Sequence, residues 1–400
     1  MAQPIFSRRH NPAVSPFDTD KNQLQRFDPT RGDGRMSLAG LVGQSEADAI
    51  RQTGRIEFLA TGDTGKGINS AQSDVVDAMA RDFQVDQPEK GATFFLHLGD
   101  IIYGPDKSSN YTNQFYRPNM SWLRPAPGID GVILGIPGNH DGEVCNASYD
   151  PSLKAFLENF CTAHAHGDNS IAASFNVKMP NQPGPYWWLS APFLDLVGLY
   201  SNAAEDFGIL GVDPHDTHQK DWLLKTLSAI SDARKQGERN ALVIATHHPP
   251  YNQGLAWSGI GHPGSPEMLA QIDEVCQKSG VWPDLFLSGH SHNYQRYMRT
   301  VMTAAGEKVI PYLIAGTGGI GSQPVPWNIG NYDAALGVGY ENALGSSGLH
   351  NPVYGYLRVQ ASQTIVQATF VQTLSDHRKE FETTAVDLAT GKQTKPNFVN

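Results

Sequence analysis

Five short polar signatures are spaced along the chain: TGDTG (61–65), GDIIY (99–103), GNHD (138–141), THHPP (246–250) and GHSH (289–292). Together they offer carboxylates, imidazoles, a carboxamide and a phenol, with no thiol among them. An oxygen and imidazole set of this kind suits hard or borderline divalent and trivalent cations rather than a structural cysteine zinc site. Glycine directly precedes Asp63, Asp100, Asn139 and His290. There it allows a sharp turn and close approach of a substrate.

These signatures need elements that bring them together. Each follows a short apolar run rich in β-branched and aromatic residues: IEFLA (56–60), TFFLHL (93–98), GVILGI (131–136), ALVIA (241–245) and DLFLS (284–288). Such runs predict strands buried on both faces and covered by helices. Between them, Ser70 to Asp82 and Gln219 to Ile230 carry apolar residues at helical spacing. A further strand is expected through Phe193 to Tyr200. The tail from Lys308 to Leu388 reads as strands and loops, with period-2 alternation in YGYLRVQASQTIVQATF (354–370). In open α/β sheets the functional crevice lies beyond the carboxyl ends of the strands, so the five signatures should converge on one cleft. Residues 1 to about 54 show no sustained period and predict an extended arm over the main body, which occupies 55–390. No internal repeat is present.

Composition narrows the function classes. With 40 acidic against 30 basic residues the formal net charge is -10. A negative chain lacks the field that recruits polyphosphates, which argues against nucleic acid as a main partner. Three cysteines, Cys145, Cys161 and Cys276, are too few and too odd in number for a disulfide scaffold. No apolar run approaches the roughly 18 to 20 residues of a membrane helix, and the most apolar stretch, Pro185 to Tyr200, carries Asp195 and two prolines. A soluble protein is therefore expected. The start MAQPIFSRRHNPAVSPF has an arginine pair but no apolar segment after it. The expectation is a cytoplasmic protein if Met1 is the natural start, and a periplasmic or secreted one if an export signal has been removed.

In this order and spacing the five signatures resemble the calcineurin-like metallophosphoesterases, in particular the purple acid phosphatase branch: DxG, GDxxY, GNH followed by an acid, a strand-end xxH, then GHxH. The resemblance spans roughly Arg55 to Gly321. It implies an α/β sandwich of two mixed β-sheets packed face to face and flanked by helices, with 55–390 as the catalytic domain. It also implies a two-metal site in which Asp63, Asp100, Tyr103 and His292 hold one ion. Asp100 would bridge to a second ion held by Asn139, His247 and His290. Much of the superfamily has a histidine two residues after the first aspartate, where this chain has Gly65 and supplies Tyr103 instead. A phenolate is a hard, charged donor, which favours Fe(III) at the Tyr103 position, with Fe(II), Zn or Mn at the second.

Two cations about 3.5–4 Å apart neutralise a phosphate, activate a water and steady both the entering and departing oxygens of an in-line displacement. Imidazole is the natural proton donor in the mildly acidic to neutral range. By the same resemblance His140 and His262 are candidates for binding phosphate or protonating the leaving group, and Asp141 for orienting His140. His248 is expected beside the ligands rather than among them. The reading is a dinuclear hydrolase of the acid phosphatase type, acting on a phosphorylated small molecule or phosphoprotein. The alternatives are a phosphodiesterase, on cyclic nucleotides or phospholipid head groups, and a non-catalytic metal-binding scaffold. Plainer roles are expected for His97 (a core histidine), for His164 and His166 (a solvated loop) and for His215 and His218 (the surface). GTGGIGS (316–322) is expected to be a turn closing the sheet. Trp122, Trp187, Trp188 and Trp257 either stack on a base or sugar or pack internally.

Overall fold

The computed structural model describes residues 27–396 apart from 69, 85, 87, 105–107, 143–152, 162–170, 204–207, 212–216, 254–261, 263, 326–329, 334–336, 347–351 and 374–376. Cys145, His164, His166, His215 and Trp257 lie outside the described residues, as do the first 26 residues of the expected arm.

Along the chain the strands are β1 (Arg35–Ser37), β2 (Arg55–Thr61), β3 (Phe94–His97), β4 (Val132–Gly135), β5 (Trp187–Ala191), β6 (Leu194–Gly198), β7 (Ala241–Thr246) and β8 (Leu285–Ser288). They continue with β9 (Tyr294–Thr303), β10 (Gly306–Ala315), β11 (Tyr332–Asp333), β12 (Val338–Leu344), β13 (Tyr354–Ser362), β14 (Ile365–Thr373), β15 (Arg378–Asp387) and β16 (Lys392–Gln393). One sheet has the order β16-β15-β14-β13-β2-β3-β4 and the other β1-β5-β6-β7-β8-β10-β9-β12-β11. Both are mixed. In the first, β2, β3 and β4 run parallel and β13 joins β2 antiparallel; in the second, β6, β7, β8 and β10 run parallel and β9 returns antiparallel.

Continuous apolar runs make this architecture possible because neither face of the central strands meets water. Phe58, Phe94 and Leu96 from one sheet share a buried cluster with Leu189, Leu196, Val243 and Leu287 from the other. The alternate residues Leu59, Phe95, Ile133, Ile244 and Phe286 point outward into the second cluster. There, helix Ala71–Ala80 contributes Val75 and Met79, and helices His218–Lys235 and Pro266–Ser279 contribute Leu223, Leu227 and Ile272. Each large apolar side chain so buried stabilises the fold by roughly 1.5–3 kcal/mol relative to exposure. The expected sandwich of two mixed sheets with flanking helices is therefore the fold observed.

Two details differ from the sequence reading. Helices Leu38–Val42 and Gln44–Thr53 occupy a stretch with no evident period, and β1 pairs in parallel with β5 at the edge of the larger sheet. The alternation in β13 and β14 does not give a wet face: Arg358, Gln360, Gln367 and Thr369 are buried. They face partners such as Glu57 and Glu380, while Tyr356 and Arg378 bond Asp82 beyond the end of helix Ala71–Ala80.

Candidate metal centre

The strand-end signatures form one interlocked set of turns. Asp63, Asp100 and His290 follow β2, β3 and β8, and all three take left-handed backbone, with φ of 61°, 53° and 67°. For non-glycine residues that conformation costs about 1–2 kcal/mol each and persists only where the surroundings enforce it. Here they do: the Asp63 amide donates to the Gly99 carbonyl at 2.9 Å, and the His290 amide donates to Asp63 Oδ2 at 2.8 Å. Gly99, Gly138 and Gly289, which precede Asp100, Asn139 and His290, are sterically required. A Cβ on Gly138 would stand 2.2 Å from Asp100 Oδ1, and one on Gly99 2.5 Å from His247 Nδ1.

All seven expected ligands lie at this set of turns. His247 Nε2 is 3.3 Å from Asp100 Oδ1, 3.1 Å from Asn139 Oδ1 and 3.2 Å from His290 Nδ1. His292 Nε2 is 3.5 Å from Asp63 Oδ1. Asp100, His247 and His290 present ligand atoms within 4.8 Å of one another, a buried group able to hold a cation. Tyr103 sits beside these, its ring 4.5 Å from that of His140. Its backbone amide and carbonyl are tied to the Gln114 side chain at 2.7 and 3.1 Å. The Tyr103 ring also fills the space a side chain at position 65 would need, since a Cβ on Gly65 would meet Tyr103 Cδ2 at 2.1 Å. Residue 65 and the tyrosine are thus alternative occupants of one space.

Hydrogen bonds on the far side of two imidazoles aim their inner nitrogens. His247 Nδ1 lies 2.8 Å from the Leu98 carbonyl and His292 Nδ1 lies 3.0 Å from that of Gly321. A carbonyl accepts only, so each Nδ1 carries the proton and each neutral Nε2 turns a lone pair inward, the arrangement found behind metal-bound histidines. For His247 that lone pair faces the carboxylate of Asp100 and the carboxamide oxygen of Asn139. Acceptors aimed at acceptors repel unless a proton or a cation sits between them. Without a metal the proton is the remedy: burial pulls the His247 pKa down, but the Asp100 carboxylate outweighs it and lifts the value to about 9. Burial likewise acts to raise Asp100, yet His247 and the His140 amide hold it well below the usual carboxylate range. Asp63 Oδ1 and the Tyr103 hydroxyl are buried without a well-formed hydrogen bond. Burial, then the charges of Asp100 and Asp63, hold the Tyr103 hydroxyl well above its ordinary value. Only a strongly charged ion would convert it to phenolate.

His262 lies over the cluster, its ring 3.9 Å from His290 and 5.9 Å from His292. The His140 amide donates to Asp100 Oδ1 at 3.0 Å. Asp141, expected to orient His140, accepts from the backbone amides of Ile101, Ile102 and Gly138 at 2.9–3.1 Å. Its carboxylate therefore fastens the GDIIY turn to the GNHD turn. Burial and the nearby Asp100 charge push it up to about 7. His248 is buried beside His290 with Nδ1 2.9 Å from Ser201 Oγ, and His97 is a core histidine bonded to Thr64 Oγ1 at 2.9 Å. His218 is half-buried rather than superficial, against Phe27 and the Tyr186 hydroxyl. Trp122, Trp187 and Trp188 are buried packing residues whose indole N–H groups donate to Val132 O, Gly135 O and Asp195 Oδ1. Sequence reading missed Gln114, Ser201 and Thr64 as partners of Tyr103, His248 and His97, because hydrogen bonds between turns leave no local pattern of residue types.

The calcineurin-like phosphoesterase family model matches residues 56–294. No curated protein matches the chain. Among solved structures, "GAP50 the anchor in the inner membrane complex of Plasmodium" is similar at 13% identity and a TM-score of 0.50, over 82% of this chain and 88% of that one. PhoD is 13% identical with a TM-score of 0.49, over 86% of this chain and 72% of that one. At such identity the first of these likenesses shows the fold alone. The family match covers well over half of the sequence and contains all five signatures, and so the chain belongs to the calcineurin-like phosphoesterases.

Proposed function

We propose that this metal-dependent phosphoesterase is a phosphomonoesterase of the acid phosphatase type with two cations. The observation that carries the proposal is the set of inward-facing acceptors around His247 Nε2, with Asp100, Asn139 and His290 all within 3.3 Å. In this reading Asp63, Asp100, Tyr103 and His292 hold one ion, and Asp100, Asn139, His247 and His290 hold the other. The donor types fit Fe(III) at the tyrosine position and Fe(II), Zn or Mn at the second. Such ions supply Lewis-acid neutralisation of the phosphoryl oxygens and a nucleophile at neutral pH.

The chain's own residues supply the rest. Asp141 and the turn amides keep the ligands in place before substrate arrives, so little reorganisation is left to the reaction. His262, over His290, and His140, against Tyr103, flank the cleft as proton donors and phosphate-binding groups. Burial, then His292, lowers His262 to about 4 in the metal-free protein. It is thus a neutral imidazole until a phosphate dianion brings charge to it. The substrate class is a phosphorylated small molecule or phosphoprotein. Among the described residues no helix is long and apolar enough to cross a membrane.

The test is turnover of p-nitrophenyl phosphate against bis-p-nitrophenyl phosphate after reconstitution with iron and zinc. Faster monoester cleavage is expected. Preference for the diester would establish a phosphodiesterase instead, and inactivity on both would leave a metal-binding scaffold.

A further inference from the structure

His262 sits on a connection whose described stems are closed by Ser265, which donates its amide to the carbonyls of Pro249 and Pro250 at 3.0 and 3.1 Å. Nothing in the local sequence says what holds the imidazole over the cluster. The structure supplies a chain of buried amides. Asn252 Nδ2 donates to the His262 carbonyl at 2.6 Å, and Asn252 Oδ1 accepts from Gln295 Nε2 at 2.6 Å. Gln295 also donates to Asn293 Oδ1 at 2.8 Å, while its Oε1 accepts from the Tyr297 hydroxyl at 2.6 Å and the Gln253 amide at 3.2 Å. Asn252 and Gln295 are fully buried, and Asn293 nearly so. Asn293 follows His292 directly, and Gln295 is the second residue of β9, just beyond the GHSH signature.

We propose that Asn252 and Gln295 are positioning residues that fix His262 relative to His290 and His292. A carboxamide donates and accepts in one plane, so Asn252 holds the His262 carbonyl with its Nδ2 and Gln295 with its Oδ1. Because Gln295 is anchored next to Asn293, the His262 loop is referenced to the same turn that carries two of the proposed ligands. A satisfied buried network of this kind specifies one arrangement, and a half-satisfied one does not. The inference rests on the proposed role of His262 in turnover.

A double-mutant cycle tests it on the full-length, metal-reconstituted protein with p-nitrophenyl phosphate. Asn252→Leu keeps the number and branching of the side-chain heavy atoms and removes both amide functions. Its kcat should fall about ten- to a hundredfold, the scale for displacing a reacting group by about 1 Å. His262→Ala should fall at least as far, and Asn252→Leu/His262→Ala should be no slower than His262→Ala alone, with two metal ions retained throughout. A purely structural role for Asn252 would lower thermal stability or metal content and give additive losses, which overturns the inference. Unchanged kcat in Asn252→Leu alongside a slow His262→Ala also overturns it. An unaffected His262→Ala refutes the parent role of His262 and the inference together. Where Asn252→Leu does not fold, Gln295→Leu must show the same non-additivity with His262→Ala; additive losses there would refute the inference.

Discussion

Gly65→Ala puts a methyl group where the Tyr103 ring lies. The added Cβ would stand 2.1 Å from Tyr103 Cδ2 and 2.7 Å from Cε2. Ordinary contact begins at 3.4 Å, so the ring must retreat by about 1.3 Å. It has little room to do so, with the His140 ring 4.5 Å away and its backbone pinned at both N–H and C=O by Gln114. The backbone at Gly65, at φ 52°, adds a cost of about 1–2 kcal/mol for any residue with a Cβ. Stability should therefore fall by at least that amount in a thermal or denaturant melt. A shift of about 1 Å in a reacting group costs on the order of a hundredfold in rate, and kcat for p-nitrophenyl phosphate should drop on that scale. The visible absorption of an iron-loaded protein should be lost or displaced, while the ion proposed for Asn139, His247 and His290 should be retained. A variant with the wild-type spectrum and turnover would refute both the packing of Tyr103 against residue 65 and its role at the metal.

Tyr103→Phe should abolish the visible charge-transfer band of the iron protein while leaving the fold intact; a band that survives would exclude the phenolate. Replacing His140 with Ala should slow monoester turnover by about 10²-fold or more if it acts in proton transfer, with metal content unchanged by elemental analysis. Away from the site, burial raises Glu57 to about 7 against the attraction of Arg358. A carboxyl raised in the folded state binds more protons folded than unfolded, so stability declines as pH climbs from about 4.5 to about 7. Glu57→Gln should remove this dependence and gain up to about 3 kcal/mol at pH 8 relative to pH 5. Melting temperatures of both proteins at those two pH values check it, and parallel pH profiles would contradict it.

The strands and the ligand turns were legible because each signature places polar residues at the end of an apolar run, four of the five with a glycine among them. Steric need, such as the contact between Gly138 and Asp100, writes itself into residue type. Residues 38–53 were not legible as helix because few of their side chains face the core, with Leu38, Ala47 and Ile50 the buried ones. Asp141 carries a motif but not its purpose, since its partners are backbone amides, which leave no trace in sequence. Asn252 and Gln295 are 43 residues apart and belong to no signature, so only the folded chain shows that they meet.

Elemental analysis of the reconstituted protein, wild type against Asp100→Asn, bears most directly on whether these side chains clamp a pair of cations. Two ions per chain are expected in the wild type, with both metal and activity lost on replacing the carboxylate between the two proposed positions. A wild-type protein that takes up no metal, or an Asp100→Asn variant that keeps two ions and full turnover, would contradict it.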